Sequence, residues 1–413
     1  MNDFKFFSIS NPFMGECSQN EIISFLRNKK GVELKRDAII FDTNFENVTN
    51  IFKQNQSLLC LTSHLLTFDD IEKFSLKDVD FTNFLSKNAG EKLSFSIEIR
   101  GVKGQENRIS LAKPMYQLIR DIIKKQLGID AEVDHKNPQI LFQVYSDLQN
   151  YHFGLRLNKE DFDSRKYRVF PHQATFKADF AYQLLQECEI KSGLQEKILF
   201  AFSKDGVLPI ECAILLNKLE IRKVRKKDYV SLLLPSIVAT GQDKPVSKKV
   251  EDKLIEVFAF DQTEGTTRAC RNNSKLAGTS KLVNLNKCSL EDLDIKYEKE
   301  MFDKVIFHVT RKDEVNLNEM YNQLNFVLKI KGKAFFISRP DFSVVLPSTY
   351  KEIFIKTITS QNYEIINEEP LISFIEFKNI FEKNSINLSY KEKFNERLSW
   401  YYALILKFCF IHK

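Results

Sequence analysis

Glycine is scarce in this chain, with 13 in 413 residues beside 10 prolines and a single tryptophan. The shortage matters most at 198–213, ILFAFSKDGVLPIECA, which reads as an apolar strand, a tight turn and a helix with Gly206 the only glycine in the turn. A strand running into a helix through a glycine-rich turn is how α/β folds bring backbone N–H groups and a positive helix end to a nucleotide-like cofactor. Here Lys204 and Asp205 stand where side chains would crowd a ligand, so the expectation is a cofactor-binding fold with a damaged cofactor site.

Other absences exclude whole classes of function. The seven cysteines (17, 60, 188, 212, 270, 288, 409) form no C-x-x-C pair and are odd in number, which fits reduced, packed thiols in a cytosolic protein rather than a disulfide framework. The six histidines show no H-x-x-x-H or Cys/His spacing, so no metal is expected, and neither G-x-x-x-x-G-K-[ST] nor G-x-S-x-G occurs. No window reaches the roughly 18 uncharged apolar residues of a membrane span. The start, MNDFKFFSIS, has no basic stretch before an apolar run and is not expected to be a signal peptide. Charge is nearly balanced: 61 Lys plus Arg against 55 Asp plus Glu gives +6, compatible with a polyanionic partner without demanding one.

What is present is an ordinary soluble composition, 43% hydrophobic and 28% charged, in a chain too long for one core. Residues 4 to about 90 read as strand, helix, strand, strand: FKFFSI, Gln19–Asn28, AIIFDT, LLCLTSHLL. An alternating strand KLSFSIEIR (92–100) follows, then a helix over Lys113–Leu127 with Pro114 at its start and Gly128 ending it, then a hairpin of ILFQVYS and YHFGLRL, closed by SRKYRVF. From Phe176 onward helices and strands alternate, predicting a largely parallel doubly wound sheet. A basic, Gly/Pro-bearing insertion at 222–250 breaks that rhythm and is expected over the C-terminal sheet edge, and the tail from about 370 is expected to be helical.

These strings in this order resemble the THUMP-domain RNA methyltransferases that modify guanine N2. The THUMP resemblance covers roughly 50–170 through KLSFSIEIRGVKGQENR, AKPMYQLIRDIIKKQLGI, NPQILFQVYSDLQNYHFGLRL and SRKYR, and the catalytic resemblance runs from about Pro171 to Pro370. The resemblance implies a ferredoxin-like region (1–90), a THUMP RNA-binding domain (91–170), a Rossmann-like class I methyltransferase domain (171–370) using S-adenosylmethionine, and a C-terminal extension (371–413). THUMP domains also accompany thiolation enzymes, but those carry an SGGxDS-like loop that is missing here.

Motif by motif, scaffold outlasts chemistry. The family's Asp-Pro-x-Cys-Gly-Ser-Gly-Thr falls on 200–207, where Gly206 alone matches, although Pro209, Ile210, Glu211 and Ala213 match the helix behind it. Asp261 falls where the family's acid bonds the ribose, and also reads as a cap on the helix from Thr263. The third motif's Asp falls near Ser289, with Glu291 or Asp292 one register shift away. The fourth motif, Asn/Asp-Pro-Pro-Tyr/Phe, positions the target amine and stacks its base. Here it is His308, Val309, Thr310 and Arg311, with neither proline nor aromatic, and His308 is the one conceivable replacement base.

Two basic stretches could contact phosphate: Arg165, Lys166, Tyr167 and Arg168, and Arg222, Lys223, Arg225, Lys226 and Lys227. Two functions stay open. One is a cytoplasmic binder of structured RNA, such as transfer RNA, with a degraded methyltransferase domain serving as scaffold or partner subunit of another protein. The other is an active S-adenosylmethionine-dependent guanine-N2 methyltransferase with a divergent site.

Overall fold

The computed structural model describes residues 4–12, 14–26, 31–81, 92–193, 195–223, 255–308, 310, 317–338, 388–393 and 403–409. In chain order the strands are β1 Phe4–Ser10, β2 Glu33–Lys35, β3 Ala38–Thr43, β4 Leu58–Phe68, β5 Lys92–Arg100, β6 Asp130–Val133, β7 Ile140–Ser146, β8 Tyr151–Arg156, β9 Ile198–Ala201, β10 Val257–Asp261, β11 Val283–Lys287, β12 Phe302–His308, β13 Leu328–Ser338, β14 Leu388–Lys393 and β15 Ala403–Cys409. The α-helices are α1 Gly15–Phe25, α2 Phe45–Gln54, α3 Gln105–Leu127, α4 Ala178–Glu187, α5 Val207–Asn217, α6 Glu264–Leu276, α7 Leu293–Lys296 and α8 Leu317–Val327. Among the described residues no helix is long and apolar enough to cross a membrane.

Packing divides the chain into two units, one of Met1–Ser164 with Leu219–Val250, the other of Arg165–Lys218 with Glu251–Lys413. The first unit holds one eight-stranded sheet, β2-β3-β1-β4-β8-β7-β5-β6. The sheet runs without a break through the segments read as ferredoxin-like and THUMP, because β4 pairs antiparallel with β1 on one side and β8 on the other. Three differences from the sequence reading stand out here. Helix α2 and strand β2 intervene between α1 and β4, with Asn44 capping α2 by accepting from the Asn47 N–H. Helix α3 begins at Gln105, nine residues before Pro114, so the proline lies inside the helix rather than at its start. The beginning of the basic insertion belongs to this unit, where the N–H groups of Ile221 and Arg222 donate to the Lys53 carbonyl.

A chain of polar side chains crosses β4 and β8 near the β7–β8 turn. His152 Nε2 lies 3.1 Å from Asp147 Oδ2, His152 Nδ1 lies 3.2 Å from Thr67 Oγ1, and that hydroxyl lies 2.9 Å from His64 Nε2. Since the carboxylate only accepts, His152 donates from Nε2, which leaves Nδ1 to accept from the Thr67 hydroxyl and Thr67 to accept from His64. Burial, helped by Lys5 and His152, lowers the His64 pKa to about 4.

The second unit carries a seven-stranded sheet, β11-β10-β9-β12-β13-β15-β14, parallel from β11 to β13, with β15 antiparallel to β13 and β14 antiparallel to β15. The described parts of the tail are therefore strands, correcting the expected helical extension. The repeating apolar residues of ALILKFC fit a strand as well as a helix, and pairing with β13 decides between them. The core beneath β9 and β12 is aromatic and aliphatic, with Phe202, Phe260, Phe302 and Phe307 all nearly inaccessible.

Candidate functional site

Strand β9 lies between β10 and β12, where the strand order reverses, and in open α/β sheets ligands bind at such a point, outside the carboxyl ends of the strands. Four stretches singled out in the sequence reach that edge: the turn 202–206 after β9, Asp261 ending β10, Ser289 after β11 and His308 ending β12.

The turn is tightly wound. Phe202 (φ 58°), Lys204 (φ 53°) and Gly206 (φ 84°) all take left-handed conformations, which cost a non-glycine residue about 1–2 kcal/mol each. Four backbone donors of the turn and the first helical residue are used within the chain. Ser203 N–H donates to the Phe260 carbonyl, Lys204 N–H to Asp261 Oδ2 at 2.9 Å, Gly206 N–H to the Ser203 carbonyl and Val207 N–H to Asp205 Oδ1 at 3.3 Å. Gly206 itself answers to packing: a Cβ there would lie 2.4 Å from Cys270 Sγ on α6.

Asp205 was expected to crowd a ligand, but its carboxylate is buried and bonded within the fold. Oδ2 accepts from Arg168 Nε (3.1 Å), the His172 N–H (3.2 Å) and Thr175 Oγ1 (2.8 Å). These contacts pin the segment 168–176 along the same edge, where Asn273 also holds both backbone groups of Phe170 and Phe176 stacks on His308 with centroids 4.6 Å apart. Phe176 is the functional candidate that the sequence reading missed. It lies more than a hundred residues from His308, and no local pattern joins the two.

Asp261 sits at the start of α6, as its capping reading expects, and its other oxygen is bonded to the turn. Oδ1 accepts from Thr263 N–H (3.2 Å) and Thr266 Oγ1 (2.5 Å), supporting the start of α6, whose own cap is Thr263, while Oδ2 holds the Lys204 amide. Three of a carboxylate's roughly four acceptor positions are thus filled. The Lys204 side chain is buried, its ammonium 5.2 Å from the centre of the Phe202 ring, over the aromatic floor made with Phe260 and Phe307. Ser289 donates to Asp292 Oδ2 at 2.6 Å, a local turn contact. Thr310 is half-buried, and Val309 and Arg311 lie outside the described residues.

The basic stretches divide sharply. Arg165 and Tyr167 are corrected as surface contacts, because both are buried against Glu211, with Arg165 Nε 2.8 Å from Oε1, its Nη2 3.2 Å from Oε2 and the Tyr167 hydroxyl 2.7 Å from Oε1. Burial opposes the Arg165 charge, yet the Glu211 carboxylate holds its pKa above the ordinary value. Burial and Glu211 together push the Tyr167 hydroxyl well up. The physical reason for the correction is that a buried carboxylate on α5 needs a buried cation. Arg168 is engaged with Asp205 and Thr175. Arg222 lies over the Phe162 ring at 4.3 Å and donates to the carbonyls of Asn55 and Phe162. Lys166 and Lys223 remain exposed, and Arg225, Lys226 and Lys227 lie outside the described residues.

No activated thiol is found at this edge. Burial raises Cys188 and Cys212 and pushes Cys270 up to about 12, so these cysteines act as packing groups. Among the described residues no group of three or more His, Cys, Asp or Glu side chains is arranged to hold a metal ion.

Comparison with known proteins finds similarity to methyltransferases. Residues 165–328 match UPF0020, the RMKL-like methyltransferase domain. The ribosomal RNA large subunit methyltransferases K/L of Acinetobacter baumannii are similar at 25% identity (strain ACICU) and 24% (strain AYE) over 169 residues, 40% of this chain and 23% of the relatives' length. The chain thus matches under a quarter of those relatives. Among solved structures, TrmN from Thermus thermophilus (12% identity, TM-score 0.61) covers 98% of this chain and 99% of its own. A predicted N6-adenine-specific DNA methylase from Listeria monocytogenes (10%, 0.66) covers 99% and 96%. SMU.472, solved as a complex with SAH, covers 100% and 99% (12%, 0.61). At these identities the likeness establishes an α/β, class I methyltransferase-like fold.

Proposed function

We propose that this chain is a cytoplasmic RNA-binding protein of RNA modification, built on a methyltransferase scaffold that no longer transfers methyl groups and serves as RNA binder or partner subunit. The observation that carries the reading is the self-satisfied turn, in which Asp261 holds the Lys204 amide and Asp205 holds Val207, Arg168 and Thr175. A cofactor would have to displace bonds to charged groups, each worth about 1.5–3 kcal/mol net. The sequence His308-Val309-Thr310-Arg311 supplies no proline turn for a target amine, and lost positioning can remove about 7–11 kcal/mol of barrier lowering. The names of the matched relatives make large-subunit ribosomal RNA a candidate ligand beside transfer RNA.

Titration calorimetry with S-adenosylmethionine is expected to give no measurable heat. A micromolar Kd that disappears in Asp261→Ala, with the variant's melting curve still cooperative, overturns this reading. It would instead favour the active guanine-N2 methyltransferase, which draws support from the SAH-bound neighbour and from the acceptor position left on Asp261. Labelled methyl donor with unmodified total RNA distinguishes the remaining roles. Transfer that needs a second protein fits a partner subunit, whereas transfer by the chain alone excludes a degraded site.

A further inference from the structure

The carboxyl edge is not the only candidate site of the second unit. A cavity of about 450 Å³ opens at the other end of the sheet, where β10 and β11 begin and α6 ends. Arg271 and Lys275 reach it from α6, Ser280 and Lys281 from the loop before β11, Asn284 from β11 and Glu256 from the residue before β10. Three cations thus face one carboxylate. Arg271, Lys275 and Lys281 are exposed, and none forms an ion pair with an acid among the described residues. By contrast, the cation Lys287 at the far end of β11 does pair with Glu264.

A basic residue in the last turn of a helix complements the helix dipole, which accounts for Lys275 alone. It does not account for Arg271 a full turn earlier, for Lys281 beyond the helix, or for the neutral donors Ser280 and Asn284 between them. Arg271 and Lys275, four residues apart, are neighbours on the helix surface, and Lys281 closes the recess from the strand side. A concave site with excess positive charge, hydroxyl and amide donors, and little carboxylate suits phosphate oxygens.

We infer that this notch binds the phosphodiester backbone of RNA, at the opposite end of the strands from the carboxyl edge. The inference rests on the RNA-binding reading and adds to it a phosphate contact that neither THUMP nor methyltransferase motifs mark. Each phosphate neutralised releases counterions, with a slope of about 0.7–0.9 in log K against log salt.

The test uses the full chain, unmodified transfer RNA and a large-subunit ribosomal RNA fragment, with binding measured by anisotropy from about 50 to about 200 mM salt. The variant Arg271→Gln/Lys275→Gln/Lys281→Gln is expected to lower the salt slope by about 2 and to weaken binding at least about tenfold at low salt. Lys281→Gln alone should lower the slope by about 1. Thermal melts confirm that both variants fold, which is expected since all three side chains are exposed. If the parent chain binds RNA and the triple variant keeps its affinity and slope, the notch is not an RNA contact while the RNA-binding reading stands. If the parent binds no RNA even at low salt, the functional reading fails first. Competition by poly-glutamate as strong as by RNA would assign the notch to an acidic protein and overturn the choice of partner.

Discussion

Gly206, the one glycine left in the cofactor turn, is retained for the helices on either side of it. Its φ of 84° and the 2.4 Å approach of a Cβ to Cys270 Sγ make two separate demands. Gly206→Ala should therefore destabilise the second unit by about 2–4 kcal/mol in urea unfolding. Cys270→Ala should relieve only the steric part, so the double variant should recover some stability but not all of it. Glu211 gives the complementary case. Glu211→Ala strands the Arg165 charge in the interior and removes the Tyr167 acceptor, at an expected cost of about 3–5 kcal/mol, whereas Arg165→Met/Glu211→Leu should fall much nearer the parent. A loss under about 1 kcal/mol for Glu211→Ala would mean that water reaches the pair.

His64 makes stability depend on pH. Its folded pKa, about 4 against an ordinary 6.5, is depressed, so the unfolded chain takes up a proton first as acid is added. The contribution is therefore complete above about pH 6.5 and is lost as pH falls toward 4. Discounted for partial exposure, it amounts to about 2 kcal/mol. His64→Gln should flatten the stability profile of the first unit between those values, and an unchanged profile would exonerate the histidine.

At the scale of elements, regular apolar patterning made most of the second unit legible. Strands β9 to β13 and helices α5, α6 and α8 follow the alternation expected from Phe176 onward, because each is an apolar run or stripe bounded by polar turns, whereas the single-turn helix α7 between β11 and β12 was not expected. Where one local signal competed with another, the reading slipped. Helix α2 carries Phe45, Val48, Ile51 and Phe52 on one face behind an Asn44 cap, yet its polar, β-branched composition hid it. Pro114 points to a helix start because proline prefers that position, while the stripe Leu111, Met115, Ile119, Ile123 runs past it. Since an interior proline forfeits a backbone hydrogen bond, Pro114→Ala should stabilise the first unit by about 1–2 kcal/mol, raising its urea midpoint. The site was legible as a set of strand ends but not as a network. Arg168 with Asp205 and Phe176 with His308 are pairings made by the fold, between residues that no spacing rule connects.

At the scale of the whole molecule, the two units are interleaved in sequence, each built from two stretches of chain. A cut after residue 164 therefore isolates neither, and truncation maps drawn on linear domains would leave both incomplete. Within the first unit, the continuous sheet predicts that its two halves melt as one. Thr62→Pro, in the middle of the strand that joins them, should cost at least about 3 kcal/mol and strip hydrogen-exchange protection from β1 and β8 together. Protection lost on one side alone would mean two independent bodies.

The double pairing of β4 also sets an order in time. Its first partner, β1, is made before it, so that ladder can close as soon as β4 leaves the ribosome. Its second partner is not: Thr62 faces Arg156, and until the chain has been synthesised that far one flank of an eleven-residue strand waits unpaired. For those seconds the nascent protein presents an open edge to whatever is nearby, which makes β4 a segment in need of chaperone cover during synthesis.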